Sequence, residues 1–491
     1  MPDFLPALGH WLGTGRVRRV DIEGSPGFTD GRGNHMIPLR DIALVLVLIP
    51  LVPMSMSRPW IGVLAWSWIA FMAPHMLTWG FARSIPVAML IGGATLVGFL
   101  FTRDRKPLPR TAGVLLLVLF MVDYTLTSVL AMNPHLAWGK WQWVTKALAM
   151  SFVAMCLCQD RVRLRWLYLV PALSLGFFGF KGGIWILLTG GGERVYGPEG
   201  SFFGNNNELG LALSMVLPLL LYLSREEPRR WLKNILRLVF GFSIVGILGT
   251  YSRGAFLALL VVSGLLVWRS PWRKTAIAVA LLLAVGISPF LPDKWWGRMD
   301  TITVENPDTS IQARLNAWQT AWNLAADRPL TGGGFRALWG EYTWRLYFDG
   351  HFIKAWDTHS IYFEVLSEHG YIGLAFYLSI IATTLVSLQR IRKRWRGHPE
   401  YGYLANYADM TQLAFAPFLV AGAFLSLAYF DLYFHLLATS FILQALSQEA
   451  AKRLQSPEPA QRSRRVLPVR AVRRAPVSAR ALSLHPNKRI L

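Results

Sequence analysis

Long apolar runs alternate with short polar segments along nearly the whole chain. The runs occupy roughly residues 42–54, 59–76, 84–101, 112–132, 141–158, 166–188, 208–223, 235–250, 254–268, 275–291, 371–389, 409–428 and 432–447. A helix rises about 1.5 Å per residue and a bilayer core is about 30 Å thick, so runs near 20 residues predict spanning helices. Five connecting segments are strongly basic: Arg103 to Arg110, Arg161 to Arg165, Arg225 to Arg237, Arg269 to Lys274, and Arg390 to Arg396. The positive-inside bias puts these on the cytoplasmic side and the alternate loops, 133–140, 189–207, 251–253 and 292–370, outside.

The parity of the first runs is ambiguous. Run 42–54 is short for a span and contains Pro50 and Pro53, which are expected to break it. Residues 42–76 are therefore expected to add one net crossing, giving about 12 in all with both termini cytoplasmic. The alternative is 13 crossings with the N-terminus outside, a side disfavoured by Arg16, Arg18, Arg19 and Arg40.

One long segment interrupts the apolar rhythm. Between Pro292 and Gly370 the chain has no obvious apolar core of its own, and loops of that length are usually functional. Ser310 is expected to cap a helix running to Asp327, with Ile311, Leu315, Trp318 and Trp322 as its packing stripe. Gly332 to Gly334 then end that unit after Pro329. Trp295, Trp296, Trp318, Trp322, Trp339, Trp344 and Trp356 fit an interfacial aromatic belt, a surface for stacking on sugar rings, or both.

Composition changes the picture in three places. The chain is 53% hydrophobic and 16% charged, which fits a polytopic membrane protein. Its net charge of +22 sits in short loops and the tail, so it reads as topology and not as a nucleic-acid surface. Two cysteines inside one apolar run, Cys156 and Cys158, exclude a disulfide framework. No CxxC, HExxH or DxD pattern suggests a metal or other cofactor. Residues 1–35 lack the apolar core of a signal peptide, and the tail from Ala451 holds eleven Lys or Arg against one acid, Glu458. Such a tail suits anionic headgroups of the membrane lipids or simply anchors topology.

Three outer features could carry chemistry. Residues 193–210, with Arg194 and the Asn205–Asn207 run, form a Gly- and Asn-rich loop opening a helix, a setting that suits phosphate oxygens. Arg253 lies in a tight turn, Thr250 to Gly254, at the edge of the apolar region, where a charge is costly without a partner or cavity. Asp357 and His359 stand where the long segment re-enters a helix. Each has a plainer reading: a solvated loop cation for Arg194, a snorkelling side chain for Arg253, a satisfied polar residue for His359, and a helix cap for Asp357. Together they suit group transfer from a diphosphate. Two guanidiniums can fork onto the leaving group while a neutral imidazole takes the proton of an attacking hydroxyl. A transporter would instead need ionisable residues along a mid-membrane path, for which Lys146 and Lys181 are the chief candidates.

The same residues carry a resemblance. Arg194 with Gly204-Asn-Asn-Asn207, Tyr251-Ser-Arg-Gly254, Arg314 with Trp318, Pro329 with Gly332 and Gly334, and His359-Ser-Ile-Tyr362 with Gly370 and Gly373 resemble, in order, the O-antigen ligase/polymerase superfamily. The opening, Arg58-Pro-Trp-Ile-Gly62 followed by Pro74-His75 and Trp79-Gly80, is similar to exosortase-associated O-glycosylation ligases. The third asparagine of Asn205–Asn207 departs from the pattern, where proline is common. The resemblance implies an all-α, GT-C-like inner-membrane glycosyltransferase with a large helical periplasmic loop before the last three helices. It implies a donor glycan on undecaprenyl diphosphate, a lipid A–core acceptor, His359 as base and Arg194 and Arg253 as diphosphate clamps. Arg314, Asp357, Tyr362, Asn205 and Asn207 would support them. The same chemistry would serve a protein O-oligosaccharyltransferase or a polymerase. On this reading the chain divides into a mobile extension (1–40), a helix bundle (41–291), a periplasmic catalytic loop (292–370), C-terminal helices (371–450) and a disordered basic cytoplasmic tail (451–491).

Overall fold

The computed structural model describes residues 38–287, 293–300, 309–350 and 354–455, and every regular element among them is helical. Most of the expected extension (1–40) and basic tail (451–491) therefore lies outside the described residues. In chain order the helices are α1 (Leu39–Ser57), α2 (Pro59–Met72), α3 (Val87–Phe101), α4 (Ala112–Val129), α5 (Pro134–Leu157), α6 (Arg161–Thr189), α7 (Asn206–Glu226) and α8 (Arg230–Leu248). There follow α9 (Arg253–Arg269), α10 (Arg273–Ile287), α11 (Asp293–Asp300), α12 (Thr309–Asp327), α13 (Glu341–Tyr347), α14 (Ile361–Trp395), α15 (Gly402–Ala421) and α16 (Asp431–Gln455). Among the described residues, six are long and apolar enough to cross a membrane: α1, α4, α6, α7, α8 and α14. The apolar helices α2 and α3 are shorter.

Polar residues at the run boundaries start several helices. Thr111, Asn133, Asp160 and Ser252 each accept a bond from the backbone N–H three residues on, satisfying one otherwise orphaned donor of the first turn.

The basic loops gather at one end. Arg163 pairs with Asp104 at 2.6 Å, Arg165 pairs with Glu227, and Arg269 and Arg392 converge on Asp409. Trp60 lies under the Arg163 guanidinium, so the α1–α2 turn is at this end too. The start of α1 is at the other end: Asp41 accepts from Ala82 at 2.8 Å, and Arg40 bonds to Leu77 O and stacks on Trp79. Residues 39–72 thus form a hairpin, not the single net crossing expected, and Arg40 sits opposite the five basic segments. Pro50 and Pro53 do not break the first run; both lie inside α1, whose length of 19 residues exceeds the apolar run. The hydroxyl of Ser55 bonds back to Leu51 O, one turn earlier, which satisfies the hydroxyl within its own helix.

The segment between α10 and α14 does have its own core. Ala317, Ala321 and Leu324 of α12 pack with Ala337, Leu338 and Trp344. The buried face of α12 is therefore its alanine row, while Leu315 and Trp322 are about half exposed. Of the expected stripe, Trp318 stacks on Phe363 and Trp322 meets Tyr371 edge-on, both on α14, while Leu315 is about half exposed. Ser310 lies inside the first turn and is not the cap, since the helix already includes Thr309.

α14 is broken at Gly370, where φ is 65° and ψ −163°. The break strands carbonyls on its upper half and an N–H on its lower half. The 329–334 segment takes all three: Gly333 N donates to Ser367 O, Gly334 N to Glu368 O, and Tyr371 N to Pro329 O, at 2.8–2.9 Å. A Cβ on Gly370 would meet Pro329 O at 2.5 Å, and one on Gly332 would meet backbone atoms of residues 367–370 at 2.7 Å. Both positions require glycine, because the two backbones touch and both have positive φ.

Candidate active site

His359 ends the extended segment that precedes α14. Its backbone is left-handed, φ 46°, which costs a non-glycine residue about 1–3 kcal/mol unless its surroundings impose it. Those surroundings are visible. His359 N donates to Ser426 Oγ at 2.8 Å, and Trp318 Nε1 of α12 donates to Thr358 O at 2.8 Å. Trp318 also stacks flat on Phe363, with ring centroids 5.2 Å apart. Asp357 turns an oxygen back to Thr358 N at 2.8 Å, a local turn and not a helix cap. Burial pushes the His359 imidazole below its ordinary range; the Asp357 carboxylate opposes this, and the Arg314 charge reinforces it. Arg314, Asp357 and His359 are therefore one electrostatic group.

The two other arginines belong to adjoining loops. The loop after α6 is fastened to the α8–α9 turn: Val195 N donates to Gly249 O at 2.9 Å, and the Tyr251 hydroxyl bonds to Gly191 O. Burial pushes the Tyr251 phenol up, and the nearby Arg194 charge opposes that shift. Arg194 is exposed; Arg253 is half-buried as the first residue of α9. The first turn of α7 is the common neighbour of both halves. Asn206 Nδ2 donates to Thr250 O at 2.8 Å, while Glu208 is close enough to Asp357 for their charges to interact.

Beside His359 lies a buried ion triad. Lys140 Nζ of α5 contacts Glu364 at 2.6 Å and Glu368 at 2.9 Å, both on the upper half of α14. The second oxygen of Glu364 accepts from Ala428 N at 2.9 Å, in the connection that also carries Ser426. Glu368 accepts from Arg336 N at 2.7 Å, and Arg336 too is left-handed, with φ 56°. The triad thus fastens the strap holding His359 and the loop docked on the α14 break. A cavity of about 130 Å³ opens here, lined by Lys140, Trp143, Arg336, Trp339, Asp357 and Ser426 among others.

Two segments of the chain match known family models. Residues 238–378 match a model described as O-antigen ligase. Over this segment the chain is similar to the O-antigen ligase superfamily. Residues 39–227 match a family of unknown function, DUF5935. No curated protein matches the chain significantly.

The ligase match covers Arg253, Arg314, Asp357, His359 and Tyr362, together with Glu364 and Glu368. Arg194, Asn205, Asn207 and Lys140 lie in the other matched segment, so the ligase-side residues are completed by loops outside it. Not every expected residue joins the group. The Tyr362 hydroxyl is tied to Leu419 O at 2.9 Å, where it locks α14 to α15. Asn205 only bonds to Glu208 at 3.2 Å; its neighbour Asn206 makes the bond that links the loops. Lys146, expected as an interior cation, is exposed, and Lys140 is the buried one. The missed triad had a signal: Glu364 and Glu368, one helical turn apart in an apolar run, demand a buried cation.

Proposed function

We propose that this protein is a GT-C-like inner-membrane ligase moving a glycan from undecaprenyl diphosphate to the lipid A–core oligosaccharide at the periplasmic face. His359 takes the proton of the attacking hydroxyl. That oxygen bonds to the anomeric carbon of the donor, and the bond from this carbon to the diphosphate oxygen breaks. The electron pair leaves with the diphosphate, whose growing charge Arg194 and Arg253 receive. The observation that carries the reading is a half-buried imidazole in left-handed backbone, at the bundle end where the Arg194 and Arg253 loops are fastened together.

The decisive experiment is reconstitution with an undecaprenyl-diphosphate glycan and competing lipid A–core, peptide and glycan acceptors. Transfer to lipid A–core supports ligation; exclusive transfer to peptide or to the glycan itself replaces it with protein glycosylation or polymerisation. Arg253→Lys keeps the charge but loses the bidentate fork, and should lower kcat about tenfold or more. Unchanged kinetics would return Arg253 to a headgroup-facing role. Because arginines meet the leaving-group charge, EDTA treatment of the purified enzyme should leave the transfer rate unchanged. Inhibition reversed by added Mg²⁺ or Mn²⁺ would show otherwise.

A further inference from the structure

We infer that the cavity between α5, the Arg336 loop and the Ser426 strap is a subsite for a neutral sugar ring, the ring that presents the accepting hydroxyl. The inference rests on the ligase reading and adds where the acceptor sits. Two of the cavity walls, Asp357 and Ser426, are the immediate neighbours of His359. A hydroxyl held there is delivered beside the base.

The chemistry of the lining selects the ligand class. Trp143 is 41% exposed and Trp339 51%, so two indoles are available at the cavity to cover the apolar C–H face of a pyranose. The Trp339 plane is already set by the Arg336 guanidinium, 4.3 Å from its centroid. The rest of the wall sets charged and polar groups beside Leu427, Tyr429 and Phe430. The Lys140 and Arg336 cations stand against the Asp357 and Glu364 carboxylates, and Lys140 is also neutralised by Glu368. A wall with no net positive charge offers hydroxyl groups both donors and acceptors. It gives a diphosphate no net attraction, and an acyl chain seated along Leu427 and Phe430 would also have to desolvate the charges beside them. Anion binding therefore falls to the Arg194 and Arg253 loops, and the cavity is left for an uncharged polyol.

Binding can be read without donor or turnover. Full-length protein in nanodiscs is examined by saturation-transfer NMR with maltotriose, cellotriose and chitotriose, with pyrophosphate and the tripeptide Ala-Thr-Ala as controls. At least one trisaccharide should bind saturably. Its affinity should fall about tenfold in Trp339→Ala, recover in part in Trp339→Phe, and be unchanged in Arg253→Lys. Trp339 is half exposed, so its loss leaves the core packed; Trp143→Ala provides a second variant in the lining of the same cavity. Absence of saturable sugar binding, binding indifferent to both tryptophan variants, or tripeptide binding that both variants abolish would overturn the subsite. Sugar binding without glycan transfer by the wild type would sink the ligase reading alone. Transfer with an unaltered acceptor KM in both variants would sink the subsite alone.

Discussion

Replacing His359 with alanine should cut glycan transfer by about 10²–10⁴-fold, the usual worth of a positioned general base, and leave donor binding and insertion intact. The residue is half-buried, and its backbone N–H, which bonds Ser426, survives the substitution, so folding should survive as well. The pH profile separates a base from a merely structural histidine. Burial and the Arg314 charge hold the imidazole below 6.5, with Asp357 opposing. A base works deprotonated, and a lowered value moves the loss of that form to lower pH. Transfer should therefore be flat through neutrality and fall only on acidification below about 6.5. Asp357→Asn removes the opposing charge and should move the acid limb further down. Full transfer by His359→Ala, or an acid limb centred well above 6.5, would end the assignment.

Lys140→Met should be the most damaging substitution for stability, at about 3–5 kcal/mol, because it leaves two buried carboxylates facing each other without a cation. Adding Glu364→Gln and Glu368→Gln should recover part of that loss, since neutral amides no longer repel. Activity should not recover alongside stability. Both strained residues, His359 and Arg336, are held through atoms fastened to these carboxylates, and a gain in unfolding temperature does not restore their geometry. Thermal unfolding in detergent, paired with transfer assays on the same samples, measures both. Wild-type stability of Lys140→Met would mean that the carboxylates find other partners or protonate without cost.

Much of the bundle was legible because apolar runs and basic loops are read one segment at a time. Three features were not. The α1–α2 hairpin depends on Asp41 meeting residues 80–82, a contact that no run length encodes. The alanine face of α12 was masked by brighter residues: Trp318 packs on Phe363 and Thr358 and Trp322 edges onto Tyr371, while the core of the segment is built on the alanines. The triad joins positions more than 220 residues apart, so only the Glu364–Glu368 spacing hinted at it. Of the site, Asp357 and His359 were legible as chain neighbours, while Arg314 entered only through the resemblance and its charge acts on His359 from another helix. Their support by Ser426 was not, because a lone serine between apolar helices has no distinguishing pattern.

The discontinuity at Gly370 also bears on how this protein could be recombined with relatives. The stretch from Ile361 to His369 takes its placement from the extramembrane segment above it, through the Pro329–Gly334 clasp, more than from the remainder of the rod below. A cut at the apparent helix boundary near residue 360 would separate two partners that share backbone bonds. A functional graft must carry residues 329–371 as one cassette, with its lower seam inside α14 and not at its first residue.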